Sequence, residues 1–381
     1  MIFLDHAATT PVRREALEAM WPFLSGSFGN PSSHHALGEE ASRALAAARA
    51  TVAAVAGCRP GDVVFTSGGT EADNLAVKGL ALANPRGRHL VISPIEHEAV
   101  LESAAFLDRV HGFEVSEVAV DAGGLVSPEA LSRVIRPDTA LVSVQLANNE
   151  IGTVQPIAEL AAVAHAAGAL MHTDAVQAAG WLPISLDVLG VDALSLAGHK
   201  VGAPKGTGAL IVRGRLQLEP VLHGGGQERG RRSGTENVAG AVAFATALRL
   251  AEAERADAAA HVAALGSAFT ATIAATVPGA RPTGDPEHRL PGTVSFVFPG
   301  TSGEAVLLEL ERDGIVCSSG SACAAGSDEA SHVLTAVGLP TELAQTAVRF
   351  TLGAENTAEE LADAAASVAR AVSAVRGIVA T

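Results

Sequence analysis

Short apolar runs that alternate with helical stretches constrain the fold of this chain more than any other feature. The runs occupy residues 89–93, 140–145, 169–173 and 193–197, and helical stretches such as 157–167 separate them. Alternation of this kind predicts a mostly parallel sheet covered by helices, because parallel strands need long crossover connections. We therefore expect an α/β fold.

The chain is long enough for two lobes, because its 381 residues exceed the usual domain of about 100 to 200 residues. Its composition changes to Gly and Arg over 224–234, and an Ala-rich helical stretch follows over 238–263. Strand candidates recur later, at 293–298 and 348–352. We expect the lobe boundary inside or just after the Ala-rich stretch, with a smaller α+β lobe beyond it.

Charge and hydropathy argue against two classes of partner. A formal charge of −15 is unsuited to a nucleic-acid backbone, which demands a basic surface. The longest apolar runs, such as 161–171, are broken by His165 and Gly168 well short of the roughly 18 uncharged residues of a membrane helix. The N-terminal sequence MIFLDHAATTP lacks the pattern of a secretory signal. We expect no nucleic-acid or membrane partner and a cytoplasmic location by default.

The sequence SGGTEADN, residues 67–74, joins a β-branched run to a helical stretch at 74–83. Free backbone N–H groups and the helix dipole at such a junction can hold a phosphate. The turn lacks the Lys of a P-loop and the GxGxxG of a dinucleotide-binding fold. By itself it is either a phosphate site or an ordinary turn between a strand and a helix.

Two charged residues are expected at the carboxyl ends of strands, where open α/β sheets bind ligands. Asp174 follows one apolar run in HTDAVQ, and Lys200 follows the next in LAGHKVGAPKG. A carboxylate in that place usually holds a cation, and a lysine can form a Schiff base. The alternative for Lys200 is an ordinary solvated surface charge.

The three cysteines are too few for a disulfide scaffold. Cys323 lies among small residues in SSGSACAAGS, which gives a reactive thiol the access that it needs. Cys317 ends an apolar run and Cys58 follows a helical stretch, so we expect both to pack as small apolar residues. Cys323 is the candidate nucleophile.

A pair of histidines and a group of three arginines could suggest a metal site and a nucleic-acid site, but we expect neither. His34 and His35 in NPSSHH lack matching Cys or Asp ligands at metal-site spacing, so we expect no metal. Arg229, Arg231 and Arg232 are expected at a dimer interface or at the entrance to an active site rather than on a nucleic acid.

The motifs of this chain, taken in order, resemble those of the NifS/IscS-like cysteine desulfurases of the class V aminotransferase family. The matching segments are LDHAATTP, NPSSHH, FTSGGTEADN, EHEAV, NNEIGTVQPI, HTDAVQ, GHKVGAPKGTGAL, HGGGQERGRRSGTEN, SSGSAC and VRFTLG. No single motif carries the resemblance, which extends over nearly the whole chain.

This resemblance implies fold type I of the pyridoxal-phosphate enzymes, with a large lobe around a mainly parallel seven-stranded sheet and a small α+β lobe built from both termini. We accordingly expect a large cofactor-binding domain at 15–255, and a small domain at 1–14 and 256–381 that carries the Cys323 loop. The resemblance also implies pyridoxal 5'-phosphate as the cofactor and a homodimer as the assembly.

Carried over position by position, the resemblance assigns catalysis to Lys200, Cys323 and His97. Lys200 is expected to form a Schiff base with the cofactor, and His97 to stack on its ring. Asp174 is expected to pair with the ring nitrogen and keep the ring cationic, which makes the ring an electron sink. The remaining cofactor contacts are expected from Gly69, Thr70, Asn149, Gln177, His199 and, for the phosphate of the partner subunit, Thr235.

The resemblance also implies a substrate site and contains one departure. Arg349 is expected to bind the substrate carboxylate, for which a bidentate guanidinium is well shaped, and Asn30 is a second candidate for that pocket. Ala197 stands where the family usually has a phosphate-binding Ser. Either the cofactor binds less tightly here, or another donor such as Ser195 or a water replaces the hydroxyl.

The implied reaction converts L-cysteine to L-alanine and leaves the sulfur on Cys323 as a persulfide. The expected acceptors are scaffold proteins for iron–sulfur clusters or sulfurtransferases. A selenocysteine lyase, another class V aminotransferase and a catalytically silent scaffold subunit are the alternatives. The cysteine of SSGSAC disfavours a plain aminotransferase, and Lys200, Asp174, His97 and Cys323 together disfavour a silent relative.

Overall fold

The computed structural model of the chain describes residues 1–84, 86–319 and 330–379. Its strands, in chain order, are β1 (Ile2–Phe3), β2 (Val63–Thr66), β3 (His89–Ile92), β4 (Glu114–Glu117), β5 (Thr139–Ser143), β6 (Leu170–Asp174), β7 (Ala193–Ala197), β8 (Gly208–Val212), β9 (Arg281–Pro282), β10 (Thr293–Val297), β11 (Ile315–Val316), β12 (Ser318–Ser319) and β13 (Ala347–Thr351).

The helices cover both sheets and connect their strands. In chain order they are α1 (Arg14–Ser25), α2 (Ala36–Val55), α3 (Gly69–Ala83), α4 (Glu98–His111), α5 (Pro128–Val134), α6 (Ile157–Ala166), α7 (Leu186–Leu189), α8 (Val238–Thr276), α9 (Gly303–Arg312), α10 (His332–Ala336), α11 (Thr341–Ala344) and α12 (Ala358–Val379).

The larger sheet has seven strands in the order β2-β8-β7-β6-β5-β3-β4. The neighbours from β7 to β4 are parallel, and β8 alone is antiparallel to both of its neighbours. This arrangement confirms the mainly parallel seven-stranded sheet. Because the six other strands share one direction, their carboxyl ends lie along the same edge, where α/β sheets place their ligand sites.

The second sheet is antiparallel, in the order β12-β13-β10-β9. Its core contains Phe269 of α8 and Phe350 of β13, whose ring centroids are 5.3 Å apart in an edge-to-face arrangement. The start of the chain joins this part of the molecule through the parallel pair of β1 and β11 and through a bridge between Asp5 and Thr351. The N-terminal residues therefore lie beside the final strand.

Helix α8 connects the two hydrophobic cores. Phe244 and Leu248 in its first half pack with the core of the large sheet, whereas Phe269 and Ile273 pack with the core of the small sheet. Within the described ranges it is the one helix that is long and apolar enough to cross a membrane by length and composition alone. Packing inside the protein accounts for its buried apolar face.

Several element boundaries differ from the sequence prediction. Helix α2 begins at Ala36 rather than near residue 39, because the Nδ1 atom of His35 caps it by accepting the N–H of Gly38 at 3.2 Å. Helix α3 begins at Gly69 rather than near residue 74, so the predicted start was wrong by a full turn. Its first turn therefore consists of the residues proposed to hold a phosphate.

Candidate active site

A cavity of about 280 Å³ opens at the carboxyl edge of the large sheet. Its walls come from the segments that follow five strands of the sheet, from β13 and from the N-terminal residues. The sequence-predicted site residues that line it are Gly69, Thr70, His97, Asn149, Asp174, Gln177, His199, Lys200 and Arg349. The fold thus gathers nine of the twelve predicted residues into one place.

The first turn of α3 forms the anion-binding end of this cavity. Gly69 and Thr70 are its first two residues, and the N–H groups of a first turn have no partner within their helix. A methyl group on Gly69 would lie 2.8 Å from Cγ2 of Val176, so the backbone passes close to the end of β6 with no room for a side chain. The exposed N–H groups and the helix dipole suit a phosphate.

Asp174 is the last residue of β6 and is 7% exposed. Its Oδ1 atom accepts the N–H of Val176 at 2.8 Å. Burial raises the pKa of this carboxyl group, whereas the charge of His97, the Val176 amide and the charge of Lys200 act in the opposite direction. Asp174 therefore depends on cationic neighbours to be ionised, and it faces the cavity where such a partner would bind.

Lys200 ends the helical turn Gly198–Lys200 that follows β7. Its Nζ atom donates to the carbonyl oxygen of Ala8 at 2.9 Å and to that of Ala7. The N–H of Thr10 donates to the carbonyl oxygen of His199 at 3.0 Å. The N-terminal segment thereby crosses the cavity beside the lysine, which lies in a partly enclosed site rather than on open surface.

His97 and Gln177 are oriented by short local contacts. His97 caps α4, because its Nδ1 atom accepts the N–H of Ala99 at 3.1 Å. In this tautomer the Nε2 atom carries the ring proton. Gln177 donates from Nε2 to the carbonyl oxygen of Ala7 at 3.0 Å. Both side chains are fixed at the wall of the cavity before any ligand binds.

His199 is held as a neutral ring. Burial, followed by the charges of Lys200 and Lys205, lowers the pKa of His199 to about 4. Its Nδ1 atom lies 3.3 Å from Oγ1 of Thr9. A neutral imidazole in this position can hydrogen-bond a phosphate without adding a charge.

Arg349 lies in the middle of β13 and is 1% exposed. Its Nη1 atom donates to the carbonyl oxygen of Asn149 at 2.9 Å, and its Nη2 atom donates to Oδ1 of Asp5 at 2.8 Å. The buried Nε atom has no hydrogen-bond partner among the described residues. Arg349 therefore lines the cavity and retains one buried donor with no partner among the described residues.

Two described residues of the predicted site, Asn30 and Thr235, do not line the cavity. Asn30 lies in an exposed turn, where its Oδ1 atom accepts the N–H of Ser32 at 2.9 Å. Thr235 lines a second cavity of about 210 Å³ together with Ser67 and other residues. Cys323 falls in 320–329, outside the described residues. Their assigned roles stay predictions.

Ala197 is the position that departs from the family pattern, and no hydroxyl group among the described residues replaces the missing serine there. Ala197 ends β7 and lines the cavity with a methyl group only. Ser195, the suggested substitute donor, is fully buried, and its Oγ atom lies 3.0 Å from Nε2 of His172. Ser195 does not line the cavity, so its hydroxyl serves the interior of the sheet rather than a ligand.

Sequence reasoning missed two polar residues of the cavity wall, Asp73 and Gln145. Asp73 is 1% exposed and lies one helical turn after Gly69. The spacing of four residues would have placed the two on one face of a helix, but the helix was expected to begin after them. Gln145 follows β5, whose carboxyl end lies at the same edge of the sheet.

The two described cysteines are packed thiols. Cys58 lies against the core of the large sheet and Cys317 against that of the small sheet. Burial, with the charges of Asp62 and Asp187, raises the pKa of Cys58 to about 12. Burial and the charge of Asp5 raise the pKa of Cys317 still further. The prediction that these cysteines pack as small apolar residues is confirmed.

The donor set of the cavity fits pyridoxal phosphate. It offers an amine for the aldehyde, a buried carboxylate for the ring nitrogen and a helix N-terminus for the phosphate. No cluster of three or more His, Cys, Asp or Glu residues suited to a metal occurs in the described part of the chain. The unused Arg349 Nε atom adds a place for a further anion.

A seven-stranded, mainly parallel sheet with an aspartate ending one strand and a lysine following the next defines a pyridoxal-phosphate enzyme of fold type I. The chain belongs to the aminotransferase class-V family, whose profile matches residues 2–363. It depends on pyridoxal phosphate, as that family does.

Within the family, its relatives are cysteine desulfurases. The cysteine desulfurase IscS of Dictyoglomus turgidum is 44% identical over 361 residues, which cover 94% of this chain and 91% of that protein. A solved NifS-like protein superposes with a TM-score of 0.91 at 38% identity, over 98% of this chain and 99% of its own. SspA, solved in complex with cysteine, gives a TM-score of 0.82 at 36% identity, over 94% of this chain and 100% of its own.

Proposed function

We propose that this enzyme acts as a cysteine desulfurase in which Lys200 performs the proton chemistry and Cys323 carries the sulfur to an acceptor protein. The observation that carries the proposal is the single cavity in which Lys200, Asp174 and His97 meet the buried guanidinium of Arg349. This set provides a covalent attachment point, a counter-ion for a cationic ring and a receptor for an amino-acid carboxylate.

Four parts of this chain would hold the cofactor. When bound, pyridoxal phosphate supplies an aldehyde for amines and a conjugated ring that accepts electron density from an amino acid. The Lys200 amine would hold the aldehyde, and Asp174 would hold the ring nitrogen. The first turn of α3 and His199 would hold the phosphate.

The substrate site is built around Arg349. Its Nε atom is directed to no other group of the described chain, so it can bind the carboxylate of L-cysteine. Nζ of Lys200 would be the base that takes the Cα proton of the substrate. Nε2 of His97, which carries the ring proton, could deliver a proton to the substrate from the wall of the same cavity.

Sulfur transfer requires a thiolate, because the thiolate rather than the thiol is the nucleophile. The Cys323 sulfur attacks the sulfur of the substrate, and a sulfur–sulfur bond forms as the substrate carbon–sulfur bond breaks. The electron pair of the broken bond goes to the substrate carbon, which takes up a proton and becomes the methyl group of alanine. The enzyme retains the sulfur as a persulfide on Cys323.

The decisive experiment measures alanine and sulfide released from L-cysteine in the presence of a thiol reductant. Wild type, Cys323→Ala and Cys317→Ala are compared, each with its bound-cofactor absorbance recorded. We expect both products from wild type and from Cys317→Ala, because Cys317 is packed against the small core. Cys323→Ala should keep the cofactor absorbance and lose turnover.

Two results would contradict the proposal. Alanine production by Cys323→Ala at the wild-type rate would remove Cys323 from the mechanism. Wild-type enzyme that binds the cofactor but releases no alanine would remove desulfuration, and selenocysteine would be the next substrate to test.

We also propose a homodimer in which Thr235 contacts the phosphate of the partner subunit. The support is that Thr235 lines a cavity other than the one around Lys200. Mixed dimers of a Lys200→Ala chain and a Thr235→Ala chain then contain one complete site. Purified through two different tags, they should bind one cofactor per dimer with wild-type affinity. Weak binding at both sites would place Thr235 in its own subunit's site, and a monomer in light scattering would exclude the assembly.

The acceptor is proposed to be a protein thiol or scaffold, either of iron–sulfur cluster assembly or of a thiolation pathway. A cytoplasmic location is proposed with it, because a reducing compartment preserves the free thiol that the reaction needs. Transfer of ³⁵S from the labelled Cys323 persulfide to a purified scaffold protein or sulfurtransferase would identify the acceptor class. If the ³⁵S label stays on Cys323 in the presence of both kinds of acceptor, the assignment is contradicted.

A further inference from the structure

One side chain, that of His332, contacts the residues on both sides of His97. His332 is the first residue of α10, and its Nε2 atom lies 3.0 Å from the carbonyl oxygen of Glu96. Its Nδ1 atom lies 3.5 Å from Oε1 of Glu98. A carbonyl oxygen can only accept a hydrogen bond, so Nε2 of His332 carries a proton and donates it. The imidazole ring therefore lies between the two sequence neighbours of His97.

Apolar packing holds α10 in place independently of His332. Val333 and Leu334 are buried in one hydrophobic cluster with Ile95, which lies just before the contacted residues. The side chain of His332 is 36% exposed, so it lies at the edge of this cluster rather than inside it. Removal of the His332 ring should therefore leave α10 docked, and the polar contacts of the ring can serve a purpose other than folding.

The carbonyl group that His332 holds belongs to the peptide bond between Glu96 and His97. On the other side of this bond, Nδ1 of His97 accepts the N–H of Ala99 at 3.1 Å, and the ring lines the cavity. The direction of a ring depends on the backbone that carries it. Misplacement of a catalytic group by about 1 Å can cost about a hundredfold in rate. A donor that fixes this peptide therefore helps to fix the position of the His97 ring.

We propose that His332 is a positioning residue, which holds the Glu96–His97 peptide and so orients the His97 ring at the wall of the cavity. This inference rests on the proposed function, in which His97 stacks on the cofactor and delivers a proton to the substrate. His332 does not line the cavity and takes no part in the proton transfers. It acts as a fixed hydrogen-bond donor to the backbone.

The first test needs neither cofactor nor turnover. Hydrogen exchange of the apoenzyme, resolved to single residues by mass spectrometry with electron-transfer fragmentation, follows the Ala99 amide that His97 caps. His332→Ala should raise the exchange rate of this amide by about threefold to tenfold, as expected for the loss of one hydrogen bond. The amide of Ala130 is the control, because Ser127 caps it at the same distance of 3.1 Å in α5, and its exchange rate should not change.

The second test asks whether His332 acts through His97. His332→Ala should lower kcat for alanine formation by about tenfold with little change in KM, because the Arg349 receptor is untouched. In a His97→Ala background the same change should have no further effect, because no ring is left to orient. His165→Ala is the matched control, since the His165 side chain is 42% exposed and pairs with Asp192 at 2.7 Å, and neither residue lines the cavity. It should leave kcat unchanged in both backgrounds.

Two conservative variants isolate the hydrogen bond to Glu96. Glutamine can place its amide nitrogen where Nε2 of the ring lies and donate to the same carbonyl oxygen, whereas asparagine is too short to reach it. His332→Gln should therefore keep most of the wild-type kcat and the wild-type exchange rate at Ala99, and His332→Asn should resemble His332→Ala. If His332→Ala does not fold, the comparison of glutamine with asparagine decides the matter.

Any of four results would overturn the inference. His332→Ala could match wild type, or His332→Gln could be as impaired as His332→Ala. Equal acceleration of the Ala99 and Ala130 amides would indicate a general loss of stability. An equal fall in kcat with and without the His97 ring would mean that His332 acts independently of it. Failure of wild type to release alanine would instead count against the proposed function, because the exchange measurement does not depend on turnover.

Discussion

Nη2 of Arg349 lies 2.8 Å from Oδ1 of Asp5, so the last strand of the small sheet is tied to the first residues of the chain by an ion pair across 344 positions. The Arg349 side chain is 1% exposed and that of Asp5 is 18% exposed. The same guanidinium donates to the carbonyl oxygen of Asn149 at the wall of the cavity. The pair therefore holds the proposed substrate receptor and the N-terminal segment together.

Replacing Asp5 with asparagine should destabilise the protein by about 2 to 3 kcal/mol, because it leaves a buried guanidinium without its counter-ion. Asp187→Asn is the matched control, since Asp187 pairs with Arg213 at 2.9 Å but is 72% exposed, and it should cost less than about 1 kcal/mol. Urea unfolding of both variants measures the difference. If both variants lose the same free energy of unfolding, burial of the Arg349–Asp5 pair does not increase its contribution to stability.

Restoring the hydroxyl at position 197 should strengthen cofactor binding. Ala197 lines the cavity close to Gly69, at the end proposed for the phosphate. A hydrogen bond to a charged group is worth about 1.5 to 3 kcal/mol, so Ala197→Ser should lower the Kd of pyridoxal phosphate roughly tenfold to a hundredfold. Ala197→Gly, which adds no donor, is the control and should not tighten binding. Titration of the apoenzymes by absorbance gives both constants, and an unchanged Kd for Ala197→Ser would count against a phosphate at this end.

Local sequence patterns predict the positions of residues within strands and helices, because neighbouring residues determine these elements. They do not predict contacts between residues that are far apart in the chain. Asp174 and Lys200 could be placed at strand ends because apolar runs precede them directly. Asp73 was missed because α3 was expected to begin after it, and because it lines the same cavity as Asp174, a residue on another element that no short motif links to it. The contact of Arg349 with Asp5 was missed for the same reason.

Burial should make both described cysteines poor nucleophiles. A pKa of Cys58 raised from 9.0 to about 12 leaves roughly a thousandfold less thiolate at pH 8, and Cys317 is raised further. In a Cys323→Ala background, both thiols should therefore react with Ellman's reagent at least about a hundredfold more slowly in the native state than in urea. Stopped-flow and manual labelling measure the two rates. One native thiol that reacts at the unfolded rate would show that its site opens to solvent.

The burial of Glu150 should make the stability of the folded protein depend on pH. This residue is 5% exposed, accepts a hydrogen bond from Ser331 and lies next to Asn149 of the cavity wall. Burial raises its pKa from 4.5 to about 7, with Glu98 acting in the same direction and Ser331, His332 and Arg349 opposing. Between pH 4.5, the ordinary pKa of the unfolded chain, and about pH 7, the pKa in the folded protein, the folded protein binds more protons at Glu150 than the unfolded chain does. Ionisation of Glu150 consequently lowers stability as the pH rises through this window.

Glu150→Gln should remove that loss, since glutamine keeps a hydrogen-bonding group for Ser331 but cannot ionise. The gain in stability of the variant over wild type should be small near pH 4, grow between about pH 4.5 and 7, and approach about 3 kcal/mol above pH 8. Urea unfolding at a series of pH values measures it. Because the two proteins differ only at position 150, the difference between them isolates Glu150. A difference that does not change with pH would mean that Glu150 keeps an ordinary pKa despite its burial.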